Sequence, residues 1–527
     1  MANPAVNYEM RAPARQRRFR KIILIAAFCV AAVVLCAVLM GRYWPFSKNS
    51  VLQCLREATD SQVSVRSFRE TYFPSPGCVL EGIVFQHGSP SARPLLTIEK
   101  LTVKGSYTGL LVHRIPKIIA EAAHISIPPF GTGTAFNTQR SKITIGELIA
   151  NGAVIEFESR VLNKKPVLFD VHQATLRHIR WARATAYDLK VHNPEPPGDV
   201  SVTGSFGPWS ESDSGETPIS GHYLFNHADL SIYRGIAGIL SSTGNFSGKL
   251  SHIDISGTTD TPDFEVKSGG HPVRLTTQFS AYVDATRGNT FLKQVDADFW
   301  KTHITAKGSI AKPEPGKAQT ALLDLSSNSA RIQDLLGLFV KDNLAPMSGW
   351  TTFQAQAEIP PGPEEFLKKV KFRAEFGIGG GTFTNSSTQH QVDKLSAGAQ
   401  GEKNTSDAGL VLTNLKGRED LVNGVATFSD LSFHIPGAAS RMHGTYNVIS
   451  ERIDLRGQLR VDTQISNTQT GVKSLLLKVI QPFFKRKKKG QIVPVRLAGT
   501  YDHPTFGLDL RDKRAQLRPL HPEQSNQ

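Results

Sequence analysis

The densest charge in the chain is a run of five bases, Lys485, Arg486, Lys487, Lys488 and Lys489. It follows Val472 to Phe484, where Leu475, Leu476, Val479, Ile480 and Phe483 recur at helical spacing. An apolar helix face ending in consecutive cations suits an anionic membrane surface or a lipid headgroup. It equally suits a plug at the end of a β-body with a solvated exit, and Pro482 leaves the last helical turn open. Other residues with chemical potential reach less far. Asp170, His172 and His178 fall on one face of a β-patterned stretch, as ligands or an acid–base set would, but sixteen scattered histidines make such coincidences ordinary surface. Gly377 to Phe383 (GIGGGTF) resembles a phosphate loop, yet no helix follows whose N-terminus could hold phosphate, so it reads as a bulge or turn. No P-loop, HExxH, GxSxG or zinc-ligand spacing occurs. No catalytic residue, metal ligand or cofactor is therefore nominated, and the expectation is a protein that is not an enzyme.

The elements that must position any site are strands. Strict apolar/polar alternation marks a strand with one buried face. Val273, Leu275, Phe279, Ala281 and Val283 share one face, opposite Arg274, Thr276, Gln278, Ser280 and Asp284. Phe353, Ala355, Ala357 and Ile359 alternate with Gln354, Gln356 and Glu358, and Val370, Phe372, Ala374, Phe376 and Ile378 with Lys371, Arg373 and Glu375. Ile453, Leu455, Leu459 and Val461 repeat the pattern against Asp454, Arg456 and Arg460. One-sided strands of this kind belong to antiparallel sheets, since parallel sheets read as continuous apolar runs. The segments GTTDTPDF (Gly257 to Phe264) and GTYDHPTF (Gly499 to Phe506) share Gly, Thr, Asp, Pro and Phe in register, and Gly308 and Pro313 keep the spacing. They predict a repeated unit with a hairpin turn at each copy. Three short helices are expected as well: Val51 to Ala58, one capped by Ser329 with an apolar face from Ile332 to Val340, and Val472 to Phe484.

The setting comes from the N-terminus. Ile22 to Met40 is an unbroken apolar run of about nineteen residues, enough for about 28 Å of helix, the thickness of a bilayer core. Arg11, Arg15, Arg17, Arg18, Arg20 and Lys21 precede it against the single acid Glu9, which places the tail on the cytosolic side. A cleavable signal peptide is the rival reading, but the run is long for one and ends without a small-x-small site. The chain has 527 residues and a net charge of +15. Beyond the tail and the basic run that excess is thinly spread, which suits acidic surfaces such as anionic lipid and gives no concentrated face for nucleic acid. Outside the apolar run only Cys54 and Cys78 remain, an even pair that could form a disulfide in an oxidising compartment or stay as two buried thiols.

Four stretches together resemble the AsmA family of inner-membrane-anchored bacterial envelope proteins. They are LREATDSQVSVRSF and PSPGCVLEGIVF behind the apolar run, then HGTYNVISERIDLRGQLRVD, then GVKSLLLKVIQPFFKRKKKGQIVPVRLAGTYDHPTFGLDL. The likeness covers about half the chain. It implies a mainly β fold: an N-terminal transmembrane helix, then an elongated, curled antiparallel sheet forming a repeating β-groove with a few short amphipathic helices. Expected parts are a cytosolic tail (1–21), an anchor (22–41), an N-terminal AsmA-like β region (46–220), a middle groove (221–345), an AsmA-like C-terminal region (346–510) and a disordered tail (511–527). The resemblance implies a single-pass protein of the bacterial inner membrane, N-terminus cytoplasmic and bulk periplasmic. It would bind or conduct phospholipid-like molecules for outer-membrane biogenesis and lipid homeostasis, with membrane lipids and other envelope proteins as partners. The expected groove lining is Val273, Leu275, Phe279, Val283, Phe353, Phe372, Phe376 and Leu455. Two competitors are a non-enzymatic assembly factor engaging outer-membrane proteins through strand edges and a polysaccharide hydrolase, which would need two carboxylates facing a cleft.

Overall fold

The computed structural model describes residues 47–59, 61–72, 74–86, 94, 96–111, 114–127, 144–157, 166–180, 183–208, 210, 213–233, 235–267, 270–313, 318–339, 345–384, 413–435, 438–461, 491–500 and 504–509. The expected anchor, the helix over 472–484 and the bases Lys485 to Lys489 lie outside these residues. Among the described residues no helix is long and apolar enough to cross a membrane. The fold is mainly β, with 25 strands and a few short helices among the described residues. It forms two compact units, one from the described parts of 1–229, 240–258 and 281–288, the other from those of 230–239, 259–280 and 289–527.

The first unit begins with helix α1 (Lys48–Thr59), then β1 (Gln62–Ser64), β2 (Ser67–Thr71), β3 (Gly77–Gln86), β4 (Leu96–Lys104), helix α2 (Tyr107–Leu111), β5 (Arg114–Ile127), β6 (Thr144–Phe157), β7 (Val167–Ile179), β8 (Thr185–Pro194), β9 (Pro197–Phe206) and β10 (Pro218–Asp229). From β3 to β10 each strand pairs with the next, while β1 and β2 share one edge of β3. One pair departs from the antiparallel expectation. β5 and β6 run parallel, Arg114 opposite Thr144 through Ile127 opposite Phe157. Parallel neighbours need a return connection of a dozen or more residues, and residues 128–143 provide that length. The sheet is therefore mixed, though mostly antiparallel.

α1 lays Val51, Leu52 and Leu55 on this sheet, burying them with Leu80, Ile83, Phe85, Leu101, Ile118 and Ile145. β3 keeps its apolar face inward by a shift of parity. Cys78 and Leu80 face the core, then Ile83 and Phe85 do: Gly82 at φ +59° switches the parity, the register with β4 is kept from Glu81↔Lys100 to Ile83↔Ile98, and β4 switches with it between Ile98 and Leu101.

Next in chain order come β11 (Ile236–Ala237), β12 (Ile239–Lys249), β13 (His252–Val266), β14 (Val273–Asp284), β15 (Asn289–Phe299), β16 (Thr302–Ala311), β17 (Thr320–Arg331), helix α3 (Ile332–Gly337), β18 (Met347–Ile359), helix α4 (Phe366–Lys369), β19 (Lys371–Phe383), β20 (Thr413–Val422), β21 (Val425–Ile435), β22 (Ala438–Asn447), β23 (Arg452–Val461), β24 (Gln491–Thr500) and β25 (Pro504–Leu508). In the second unit β15 to β25 pair antiparallel, each with its sequence neighbour, as an open sheet.

Two expectations are corrected here. GTTDTPDF does not turn; it lies within β13, where Asp260 accepts hydrogen bonds from Arg274 on β14 at 2.9 and 2.8 Å. A partner strand satisfies that backbone, so the turn-forming residues never need to turn. The helix expected from Ser329 is α3 alone, six residues long, and Ser329 belongs to β17. Sheet pairing of Ala330 and Arg331 with Thr351 and Trp350 holds the backbone extended up to Arg331, past where the helix would have begun. GIGGGTF does sit at a register shift of β19 against β18, between Ser348 and Trp350, with Gly380 at φ +65°.

Candidate apolar binding face

The second unit separates its chemistry by face, because the period-two pattern stays in register from strand to strand. One row of directly opposed residues runs Leu323, Ala357, Phe372, Leu421, Ala426, Tyr446 and Ile453 across β17 to β23. A second runs Leu325, Ala355, Ala374, Glu419, Phe428, Gly444, Leu455 and Leu497 across β17 to β24. Phe353 and Phe376 oppose each other in a third, and the Phe376 ring meets Phe428 edge-on, with centroids 6.4 Å apart. The other face carries Arg373–Asp420 at 2.6 Å, Arg418–Glu375 at 2.8 Å and Lys371–Glu358 at 2.9 Å. Arg496, with Arg456, holds Asp454 below its ordinary carboxylate range. Exposed pairs of this kind add little stability; they show which side faces water.

The described residues cover the apolar side incompletely. Val370, Ala374, Leu421, Ala426, Leu455 and Leu459 are buried, yet Phe353, Phe372, Phe376, Phe428 and Tyr446 remain only half-buried. The described helices of this unit, α3 and α4, have six and four residues, too few to roof a face of this width.

The first unit shows the same economy with aromatic rings laid over glycine. A Cβ on Gly221 would meet the Phe246 ring at 2.7 Å and the Tyr187 hydroxyl at 2.9 Å. One on Gly244 would meet the Tyr223 ring at 2.8 Å. Tyr187 donates to the Ser220 carbonyl at 3.1 Å, and burial pushes its phenol up to about 12. Under α1 lies a cavity of about 60 Å³ lined by Leu55, Phe85, Leu96, Ile98, Leu101, Ala120 and their neighbours. Its lining is apolar throughout.

The expected lining residues fall as follows. Phe353, Phe372 and Phe376 come together on β18 and β19. Val273, Leu275 and Phe279 share a face of β14, where Val273 is buried and the other two are half-buried. Val283 is half-buried at the end of that strand. Leu455 packs with Leu459, Val493 and Val495 in a separate cluster. Asp170, His172 and His178 stand exposed on β7, and among the described residues no group of His, Cys, Asp or Glu could hold a metal. Cys78 is fully buried in β3, while Cys54 lies in α1 with its side chain outside the described residues.

One residue escaped the sequence reading. Glu419 sits in the second apolar row, between Ala374 and Phe428. Burial, with the like charge of Asp420 adding to it, pushes its carboxyl up from 4.5 to about 7. The signal was available: Leu415, Gly417, Glu419 and Leu421 share one parity.

Comparison with known protein families, with characterised proteins and with solved structures found no match.

Proposed function

We propose that the chain is an AsmA-like, inner-membrane-anchored envelope protein whose apolar sheet face receives the hydrocarbon of phospholipid-like molecules, as a curled groove open to the periplasm. The observation that carries this reading is the pair of apolar rows across β17 to β24, whose aromatic members stay half-buried while the opposite face is laced with ion pairs. A wide apolar face left in water is costly, at roughly 25 cal/mol per Å², so it calls for an occupant. Acyl chains fit because the wall is continuous and has a single charged position among the opposed residues. Binding here is collective, spread over many small contacts. Nothing in it requires bond-making chemistry.

The test is native mass spectrometry of the full-length chain and of Phe279→Asp and Phe372→Asp. Wild type should release bound lipid, and each variant should lose most of it while still reaching the envelope. Undiminished lipid in both variants would remove the basis of the proposal. A client polypeptide in place of lipid would favour the assembly-factor reading.

A further inference from the structure

We infer that Glu419 is a recognition point for a protonated primary amine carried by the amphiphile whose hydrocarbon lies along the apolar face. This deepens the reading above and rests on it. Glu419 is flanked across the sheet by Ala374 on β19 and Phe428 on β21. Along its own strand Gly417 and Leu421 share its face, and both are buried. A Cβ on Gly417 would meet the Phe376 ring at 2.8 Å, so aromatic carbon lies directly beside the next inward position.

A carboxylate accepts hydrogen bonds and needs a counter-charge once water is removed. The adjacent bases cannot supply one. Arg418 and Arg373 lie on the opposite face, engaged with Glu375 and Asp420. Among the described residues nothing forms an ion pair with Glu419. An acid retained in an apolar wall with no ion-pair partner among the described residues is a poor choice for stability alone, since a leucine of similar size would pack there without penalty. A ligand ammonium would provide both the charge and the donors, with its alkyl chain against Phe376, Phe428 and Leu421. A hydroxyl would satisfy only a hydrogen bond, and an acidic group would be repelled by Glu419.

The experiment labels the full-length chain in detergent with photoactivatable hexadecylamine or hexadecanol, and maps the adducts by mass spectrometry. In wild type both probes should label peptides spanning 370–435, the amine at roughly tenfold lower concentration, as a charge-assisted contact implies. In Glu419→Gln the amine's advantage should vanish while labelling by the alcohol is unchanged, which also shows that the face is intact. Equal labelling by the two probes in wild type, or an advantage that survives Glu419→Gln, overturns the assignment of Glu419. Failure of either probe to label these strands overturns the apolar-face reading beneath it.

Discussion

Replacing Glu419 with Gln should stabilise the protein, and only above mildly acidic pH. In the fold its carboxyl titrates near 7, against an ordinary 4.5. Below pH 4.5 the folded and unfolded chains both hold the proton, and no penalty exists. Between 4.5 and 7 the unfolded chain releases it first, so the stability present at low pH declines as pH rises. Above 7 the loss is complete. At roughly 1.4 kcal/mol per tenfold change, the interval corresponds to about 3 kcal/mol. Gln keeps the shape and has no titration. The assay is denaturant unfolding followed by circular dichroism, for wild type and Glu419→Gln from pH 4 to 8.5. Their difference should stay flat below pH 4.5, grow through 5 to 7 and level near 3 kcal/mol in favour of the variant. A difference that stays constant between pH 5 and 8 would refute the claim that this carboxyl is desolvated in the apolar row.

Three further outcomes follow from packing and hydrogen bonding. Leu55→Ala removes the α1 side chain from the first core, where Leu55 is 1% exposed beside an existing void; unfolding should show a loss of about 2–5 kcal/mol, and less than about 1 kcal/mol would mean α1 does not seal that core. Asp334 is buried and accepts from the Thr302 hydroxyl at 2.9 Å and the Lys301 amide at 3.1 Å. Asp334→Ala should therefore cost about 1–3 kcal/mol, whereas Arg274→Ala, which breaks an exposed pair with Asp260, should cost under about 1 kcal/mol; a reversed order in thermal melts would contradict the burial assignments. Gly257→Val would drive a Cβ to 2.4 Å from the Thr243 carbonyl and crowd the Tyr223 hydroxyl. It should cost about 1–3 kcal/mol and change the near-ultraviolet signal of Tyr223; an unchanged spectrum and midpoint would rule out that close approach.

Much of the face assignment was legible in the sequence. Val273 to Val283, Phe353 to Ile359 and Val370 to Ile378 all place their apolar members on one side, because alternation is set by backbone geometry residue by residue. The bulge at GIGGGTF was legible for the same local reason. Glu419 was equally readable from parity, but its weight comes from its neighbours, and those are contributed by β19 and β21 across loops.

The one-dimensional chain thus determined the one-sided strands named from alternation, which side of each is apolar and the bulge at GIGGGTF, since φ/ψ preference and period two act over a few residues. Tertiary structure alone decided the rest. The parallel match of β5 with β6, the uninterrupted run of β13 through a turn-like sequence, the shortening of α3 and the isolation of Glu419 among aromatic and aliphatic neighbours all depend on which strand lies alongside. That choice is settled by the summed burial and hydrogen bonding of distant segments, and no local pattern encodes it.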